Sequence, residues 1–267
     1  MRVLSWDEAL ASPGEALAPS SATIGVFDGL HLGHRALVSR VVAMAPALRP
    51  VAFTFKDNPK KVTKPHRYSG SLFSLEQKLS SLEEAGIGLC VLIDFSGNFS
   101  KLAGSEFVST LVRSFGVRSF VVGHDFKCGH RLSTDAESLR AIARSLGAEA
   151  EVMEPVRLAG EIVSSSRIRS AIADGRTDLA LAMLGRPYTL DLRSVELGYD
   201  ESTASVSLRG RGVVEPAAGI YEATVIYGAG SSDVEATLRL DGTLRWPLAG
   251  IAHEAEPAFL AFGPKIA

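Results

Sequence analysis

The chain has 267 residues, enough for one large domain or two modest ones. Hydrophobic residues make up 46% and charged residues 22%, which excludes a disordered chain. A net charge of −2 argues against a general nucleic-acid binder, whose affinity rests on basic patches against phosphate, but leaves room for a small phosphate site. The two cysteines, Cys90 and Cys128, lie far apart and form no C-x-x-C pattern, so neither a disulfide framework nor a zinc site is expected. Cys90, within an apolar run, reads as a small core residue. The N-terminus, MRVLSWDEALASPGEA, lacks the apolar core of a signal peptide. No run approaches the ~20 apolar residues of a membrane span. A cytoplasmic enzyme is the expectation, with no membrane or nucleic-acid partner.

Residues 1–184 alternate strand and helix. Ala22 to Phe27 reads as a strand and turns at Asp28-Gly29. His31, Gly33 and His34 follow, then a helix with apolar Leu37, Val38, Val41 and Val42. A strand feeding a helix through a glycine turn is a ready-made anion site. The first helical N–H groups have no intrahelical partner, and the helix dipole favours negative charge there. Two imidazoles three residues apart share a helical face and can donate to phosphate oxygens, and Gly33 lets a ligand approach the backbone. The turn is expected to face solvent. A His-x-x-His pair also suits half of a zinc site, but no Cys or acidic partner sits nearby at ligand spacing.

Pro50 to Phe55 reads as the second strand, followed by a polar loop, Lys56 to Gly70, with four lysines. Ser74 to Gln77 has the form of a capping box for a helix with Leu75, Leu79 and Leu82 on its apolar side, ending at Gly86. Further strands are expected at Leu89–Ile93, Ser119–Val122 and Glu151–Val156. Further helices are expected at Leu102–Phe115, from Thr134-Asp135 to about Leu146, at Ser165–Ala173 and at Asp178–Leu184. The alternation implies a parallel sheet covered on both faces, with all C-terminal strand ends on one side. Open α/β sheets bind ligands there, and the loops after Phe27, Phe55 and Gly123 leave from that side.

The character changes near Gly185-Arg186-Pro187. Val195–Leu197, Ala204–Leu208, Gly219–Tyr227, Val234–Leu240 and Phe259–Phe262 read as short strands, with a turn at Asp241-Gly242, which suggests a small antiparallel barrel or sandwich. Residues 1–187 and 188–267 are therefore taken as two domains.

Two more segments carry polar chemistry. In VSSSRIR, Val163 to Arg169, hydroxyls precede a helix start and an arginine follows one turn in, which suits a second phosphate clamp as well as an ordinary serine cap. In VVGHDFKCG, Val121 to Gly129, Phe126 suits an aromatic ring system and Asp125 can accept from ring N–H groups; a core Phe with a turn Asp is the plainer reading.

GVFDGLHLGH resembles the signature of the bacterial FAD synthetases within the H-x-G-H nucleotidyltransferases, and the resemblance runs from about Ile24 to Tyr188. VSSSRIR is similar to the family's S-S-T/S-x-x-R. VVGHDFKCG is similar to its G-x-D/N-F-x-F-G, with His124, Lys127 and Cys128 departing. Where the family reads T-F-x-P-H-P, this chain has TFKDNP, with Asn58 in place of His. The resemblance implies a Rossmann-like α/β nucleotidyltransferase domain. It implies catalytic roles for His31, His34 and Arg169, and ATP contacts at Gly25, Phe27, Asp28, Gly29, Gly33, Ser165 and Ser166. It implies flavin contacts at Phe55, Asn58, Gly123, Asp125 and Phe126. No protein metal ligand is implied; Mg²⁺ is expected to arrive with ATP.

In this family a riboflavin kinase barrel usually follows, marked by G-x-P-T-x-N. No Pro-Thr-x-Asn occurs here, and the chain stops short of the closing helix expected of that barrel. The expectation is an FMN adenylyltransferase, joining FMN and ATP into FAD and pyrophosphate, whose shortened barrel has no kinase activity. Two alternatives stay open: the same fold with another phosphate acceptor, such as nicotinamide mononucleotide or phosphopantetheine, and a flavin- or nucleotide-binding protein without catalysis.

Overall fold

The computed structural model describes residues 1–11, 18–95, 99–193, 195–227, 230–248 and 256–267. The chain divides into two compact units: Met1–His66 with Lys78–Arg157, and Arg67–Gln77 with Leu158–Ala267. Among the described residues no helix is long and apolar enough to cross a membrane.

The first unit contains β1 (Arg2–Ser5), α1 (Trp6–Ala11), β2 (Ser20–Ile24), α2 (Leu32–Val42), β3 (Arg49–Phe55), α3 (Leu75–Glu84, from Lys78 on), β4 (Leu89–Ile93), α4 (Gly104–Ser114), β5 (Val117–Gly123), α5 (Ala136–Ser145) and β6 (Glu149–Met153). The six strands form one parallel sheet in the order β1-β4-β3-β2-β5-β6. From β2 the chain builds outward through β3 and β4, then crosses to build β5 and β6 on the other side. The strand order thus reverses between β2 and β5, which opens a crevice at their C-terminal ends. β2 is buried along its whole length, as a central parallel strand should be. The core gathers Phe53, Phe107, Leu111, Phe115, Phe120 and Leu139, all essentially buried.

Caps set the helix starts. The Asp135 carboxylate accepts the Ser138 N–H at 2.9 Å at the head of α5. α4 presents Phe107, Val108, Leu111 and Val112 to the core at helical spacing. β1 and α1 were not expected from the sequence. β1 is short and mostly exposed, with no alternation to betray it; Trp6, which follows it, packs against Phe99, Phe107 and Phe115. The apolar side of α3 also differs from expectation. Leu82 and Lys78 are its buried residues, while Leu75 and Leu79 are half-buried.

The second unit begins with the segment Arg67–Gln77, where Ser74 caps α3 as expected. Its Oγ accepts the Gln77 N–H at 3.1 Å, and Gln77 Oε1 accepts the Ser74 N–H at 2.9 Å. There follow α6 (Ser165–Ala173), α7 (Thr177–Leu184), β7 (Tyr188–Asp191), β8 (Gly198–Tyr199), β9 (Thr203–Ser207), β10 (Gly219–Tyr227), β11 (Gly230–Leu238), β12 (Thr243–Pro247) and β13 (Pro257–Lys265). The strands form a curled antiparallel half-barrel in the order β7-β13-β10-β11-β12-β9-β8. Its aromatic centre sets Phe262 flat on Tyr188, centroids 5.9 Å apart, and edge-on to Tyr221 at 5.3 Å. β10 falls where expected. Val195–Leu197 is not a strand; the pairing instead starts at Gly198, and β7 and β12 were missed.

α6 and α7 fall in the same compact unit as the half-barrel. α7 packs on β7 and β13, and the Thr177 hydroxyl donates to the Gly263 carbonyl at 2.6 Å.

Candidate active site

The site in the first unit starts from a distorted turn. β2 stops at Ile24 rather than at Phe27, because Phe27 has φ 49°. Gly29 follows with φ 84° and Leu30 with φ 36°. Each left-handed non-glycine residue costs about 1–3 kcal/mol of local strain. Phe27 and Leu30 are essentially fully buried, and burying each side chain contributes about 1.5–3 kcal/mol. Burial therefore offsets the strain and holds the turn in its unusual shape. Asp28 and His31 are also buried, at 4% and 5% exposure, so the turn does not face solvent as expected. Its alternation of apolar anchors and polar groups packs the former and carries the latter inward with them.

His31 is the N-cap of α2. Its Nδ1 accepts the His34 N–H at 3.4 Å, and its carbonyl takes the first intrahelical bond, from Arg35 N–H at 2.9 Å. An accepting Nδ1 leaves the proton of the neutral ring on Nε2. The two imidazoles stack at 3.7 Å between centroids, 19° from parallel, and Phe27 meets His34 edge-on at 5.3 Å. Gly33 lies in the first turn, where the N–H groups of Leu32 and Gly33 have no intrahelical acceptor. The helix head thus offers ring and main-chain donors together, an arrangement suited to phosphate oxygens.

The end of β3 is laced to this turn. Gly25 N–H donates to the Phe53 carbonyl at 3.0 Å, and the Thr54 hydroxyl to the Val26 carbonyl at 3.2 Å. Phe55 is half-buried and stands edge-on to Phe95 and Phe99. Asn58 is buried, and its side-chain carbonyl accepts the Lys60 N–H at 3.0 Å, so it shapes the lysine loop. After β5 the chain turns at Gly123, whose carbonyl accepts the Phe126 N–H at 3.0 Å. Asp125 is exposed, and Phe126 leans on the core. Because β2, β3 and β5 are parallel neighbours, Gly25, Phe27, Asp28, Gly29, His31, Gly33, His34, Phe55, Asn58, Gly123, Asp125 and Phe126 all belong to one edge of the sheet.

Lys78 was missed. It lies in α3, in a stretch that reads as an ordinary amphipathic helix. Its ammonium is buried and donates to the Phe55 carbonyl at 2.7 Å. Burial pulls its pKa below the usual lysine range, with the Asp28 carboxylate the strongest charge pulling the other way. The available signal was the i, i+4 spacing of Lys78 and Leu82, which puts the lysine on the buried stripe.

Ser165, Ser166 and Arg169 belong to the second unit. The cap of α6 is Ser164, whose Oγ accepts the Arg167 N–H at 3.3 Å. Ser165 and Ser166 follow in the first turn, half-buried and exposed respectively. Arg169 is buried, and its Nε donates to the Gly70 carbonyl at 2.8 Å. Arg167 is turned instead to Glu161, at 2.7 Å. Among the described residues no three His, Cys, Asp or Glu side chains are grouped to hold a metal ion.

Residues 14–167 match the family model for FAD synthetase. The bifunctional riboflavin kinase/FMN adenylyltransferase of Escherichia coli K12 is 31% identical over 242 residues, covering 88% of this chain and 76% of that protein. The protein of the same name from Bacillus subtilis is 27% identical over 219 residues, covering 78% and 67%. Among solved structures, the one titled macrolide-efflux protein from Streptococcus pneumoniae shares the fold. Its TM-score is 0.83 at 22% identity, covering 100% of this chain and 91% of that one. The chain belongs to the FAD synthetase family and is a nucleotidyltransferase enzyme.

Proposed function

We propose that this chain is an FMN adenylyltransferase that makes FAD and pyrophosphate from FMN and ATP, and that it has no riboflavin kinase activity. The observation that carries the first part is the helix head of α2 at the switch point of the sheet, where two stacked histidines follow a buried, strained turn. In the reaction a phosphate oxygen of FMN attacks the α-phosphorus of ATP. The bond from that phosphorus to the bridging oxygen breaks, and pyrophosphate leaves with its Mg²⁺, which enters as part of the ATP substrate. Phosphate is already a nucleophile, so the protein supplies position and charge rather than a covalent intermediate.

In this reading the Nε2–H of His31, with His34 and the first N–H groups of α2, donates to ATP phosphate oxygens as negative charge develops. Ser165, Ser166 and the guanidinium of Arg169 hold the departing pyrophosphate. Phe126, Asp125, Gly123, Phe55 and Asn58 form the flavin side. The second part rests on the half-barrel. The chain holds no Pro-Thr-x-Asn to bind a metal and a phosphoryl group. The acids nearest the place of that motif are engaged locally: Asp191 with Arg193 and Ser74, and Asp200 with Ser202 and Thr203.

The test supplies ATP and Mg²⁺ with FMN, nicotinamide mononucleotide or phosphopantetheine in turn. FAD and pyrophosphate from FMN alone is the expected result. Product from another acceptor, or from none, overturns the reading.

A further inference from the structure

Lys78 has no part in the scheme above, yet it is the one lysine found buried among the described residues. Burying an ammonium is costly unless it is paired and hydrogen-bonded, so a solvent-facing helix residue would serve stability at lower cost. Its placement is specific. The ammonium reaches from α3 across the end of β3 to the Phe55 carbonyl, 2.7 Å away. That carbonyl closes the strand just before the lysine loop, and Phe55 is among the residues proposed to face the flavin. One residue earlier, the Thr54 hydroxyl holds the Val26 carbonyl, and Phe53 holds Gly25. Two residues after Val26 comes Asp28, 4% exposed, the carboxylate that acts most strongly on the Lys78 charge. Three residues further is His31.

We propose that Lys78 is a positioning residue for adenylyl transfer: its ammonium holds the end of β3 at the Phe55 carbonyl, and that end, bonded to the turn at Val26 and Gly25, sets where His31 and His34 stand. The inference rests on the functional reading above. Lys78 does not touch substrate in this account; it acts through the Phe55 carbonyl and the bonds that tie the end of β3 to the turn. Displacing a donor by even an ångström is enough to cost about 10²-fold in rate, so loosening this tie is felt in turnover before it is felt in binding.

The experiment compares the parent with Lys78→Met, Lys78→Gln, Asp28→Asn and the Lys78→Met/Asp28→Asn double variant. For each, kcat and KM for ATP and FMN are measured alongside the unfolding midpoint, with turnover expressed per folded molecule. Lys78→Met is expected to lose about 10-fold or more in kcat while both KM values stay within about threefold. Lys78→Gln, which keeps an N–H donor, should recover part of that loss. If Lys78→Met does not fold, Lys78→Gln decides alone, by a lowered kcat at an unshifted midpoint. The double variant should be no slower than the slower single, because both residues act through one turn. Parental kcat per folded molecule in the lysine variants, or losses that multiply in the double variant, overturns the role of Lys78. A parent that forms no FAD overturns the functional reading itself, and this role with it.

Discussion

His31 Nδ1 accepts the main-chain N–H of His34 at 3.4 Å, while the rings of the two residues stack 3.7 Å apart. One imidazole nitrogen therefore closes the helix start, and the neutral form of the ring carries its proton on the other. Structure and chemistry at this position are separable by substitution, because the cap needs only an acceptor at Nδ1 and the proposed phosphate contact needs a donor at Nε2.

His31→Ala should lower kcat by on the order of 10²-fold, as loss of a transition-state donor does. It should also cost about 1 kcal/mol of stability, the usual worth of an N-cap. Asparagine is a good cap with a side-chain acceptor, so His31→Asn should regain the stability and not the turnover. Urea unfolding and FAD formation, measured on both variants, check this. A His31→Asn protein that is as active as the parent removes His31 from the chemistry.

A second pair links α6 to the segment before α3. Arg169 Nε donates to the Gly70 carbonyl, and Gly70 has φ +100°. A Cβ on Gly70 would lie 2.3 Å from the Val213 carbonyl carbon and 2.4 Å from its oxygen, so the backbone must move. Ser71 makes a bridge with Val213, and its N–H donates to the Gly212 carbonyl at 2.7 Å, which leaves the segment little room to shift. Gly70→Ala should destabilise by about 1–3 kcal/mol and, by dislodging the carbonyl that Arg169 holds, reduce turnover as well. Arg169→Lys should keep the fold but lose activity, because an ammonium cannot hold that carbonyl through one nitrogen while presenting a planar pair to phosphate. Full activity in Arg169→Lys would show that the guanidinium's shape is not used.

The thiols give a test of burial. Burial pushes both Cys90 and Cys128 up to about 12. A raised thiol pKa means less thiolate, on the order of 10⁻⁴ of the total at pH 8, and the thiolate is the reactive form. The folded protein at pH 8 should therefore be slow toward an aromatic disulfide reagent, and two equivalents should react in denaturant. Rapid reaction of one thiol in the folded state would mean that the loop carrying Cys128 opens readily.

Much of this architecture was legible because it follows from period and punctuation. β4 and α6 fall at the expected residues, and the Ser74 and Asp135 caps form as their sequences imply. The helix after the Asp28-Gly29 turn was legible from its apolar spacing, whereas the early end of β2 and the burial of the turn were not. What was not legible depends on tertiary partners. The edge strand Arg2–Ser5 has no alternation of its own and exists through its pairing with Leu89–Leu92. Thr243–Pro247 carries an arginine and a proline, yet pairs along its length with β9. The burial of His31 likewise goes against its residue type, and that of Lys78 is signalled only by its spacing to Leu82. Their neighbours Phe27, Leu30 and Leu82 are pulled into the core, and they are carried with them.

The last prediction is that riboflavin is not a substrate. A kinase must hold the γ-phosphoryl group and its metal at the moment of transfer, and most of its rate comes from that electrostatic support. The threonine and asparagine that would give it in this family have no counterpart between residues 189 and 218. Other residues in that region are poor replacements. The Asp191 carboxylate is half-buried; burial opposes its charge, yet bonds from Arg193 and Ser74 keep its pKa below the usual value, and its oxygens are already committed to them. The exposed Asp200 carboxylate is held down to about 2 by Thr203 and Ser202 and ties its own turn. Gly198, Gly210 and Gly212 are scattered, where a phosphate loop needs its glycines together. A slow kinase can survive the loss of one group, but losing the metal-holding pair removes most of the stabilisation of the transferred phosphoryl. Under one set of ATP and Mg²⁺ conditions, FMN should therefore yield FAD and riboflavin should yield neither FMN nor FAD. Chromatography of a riboflavin incubation against a control without enzyme decides it: FMN above that control means that the half-barrel still transfers phosphate through residues other than the family's pair.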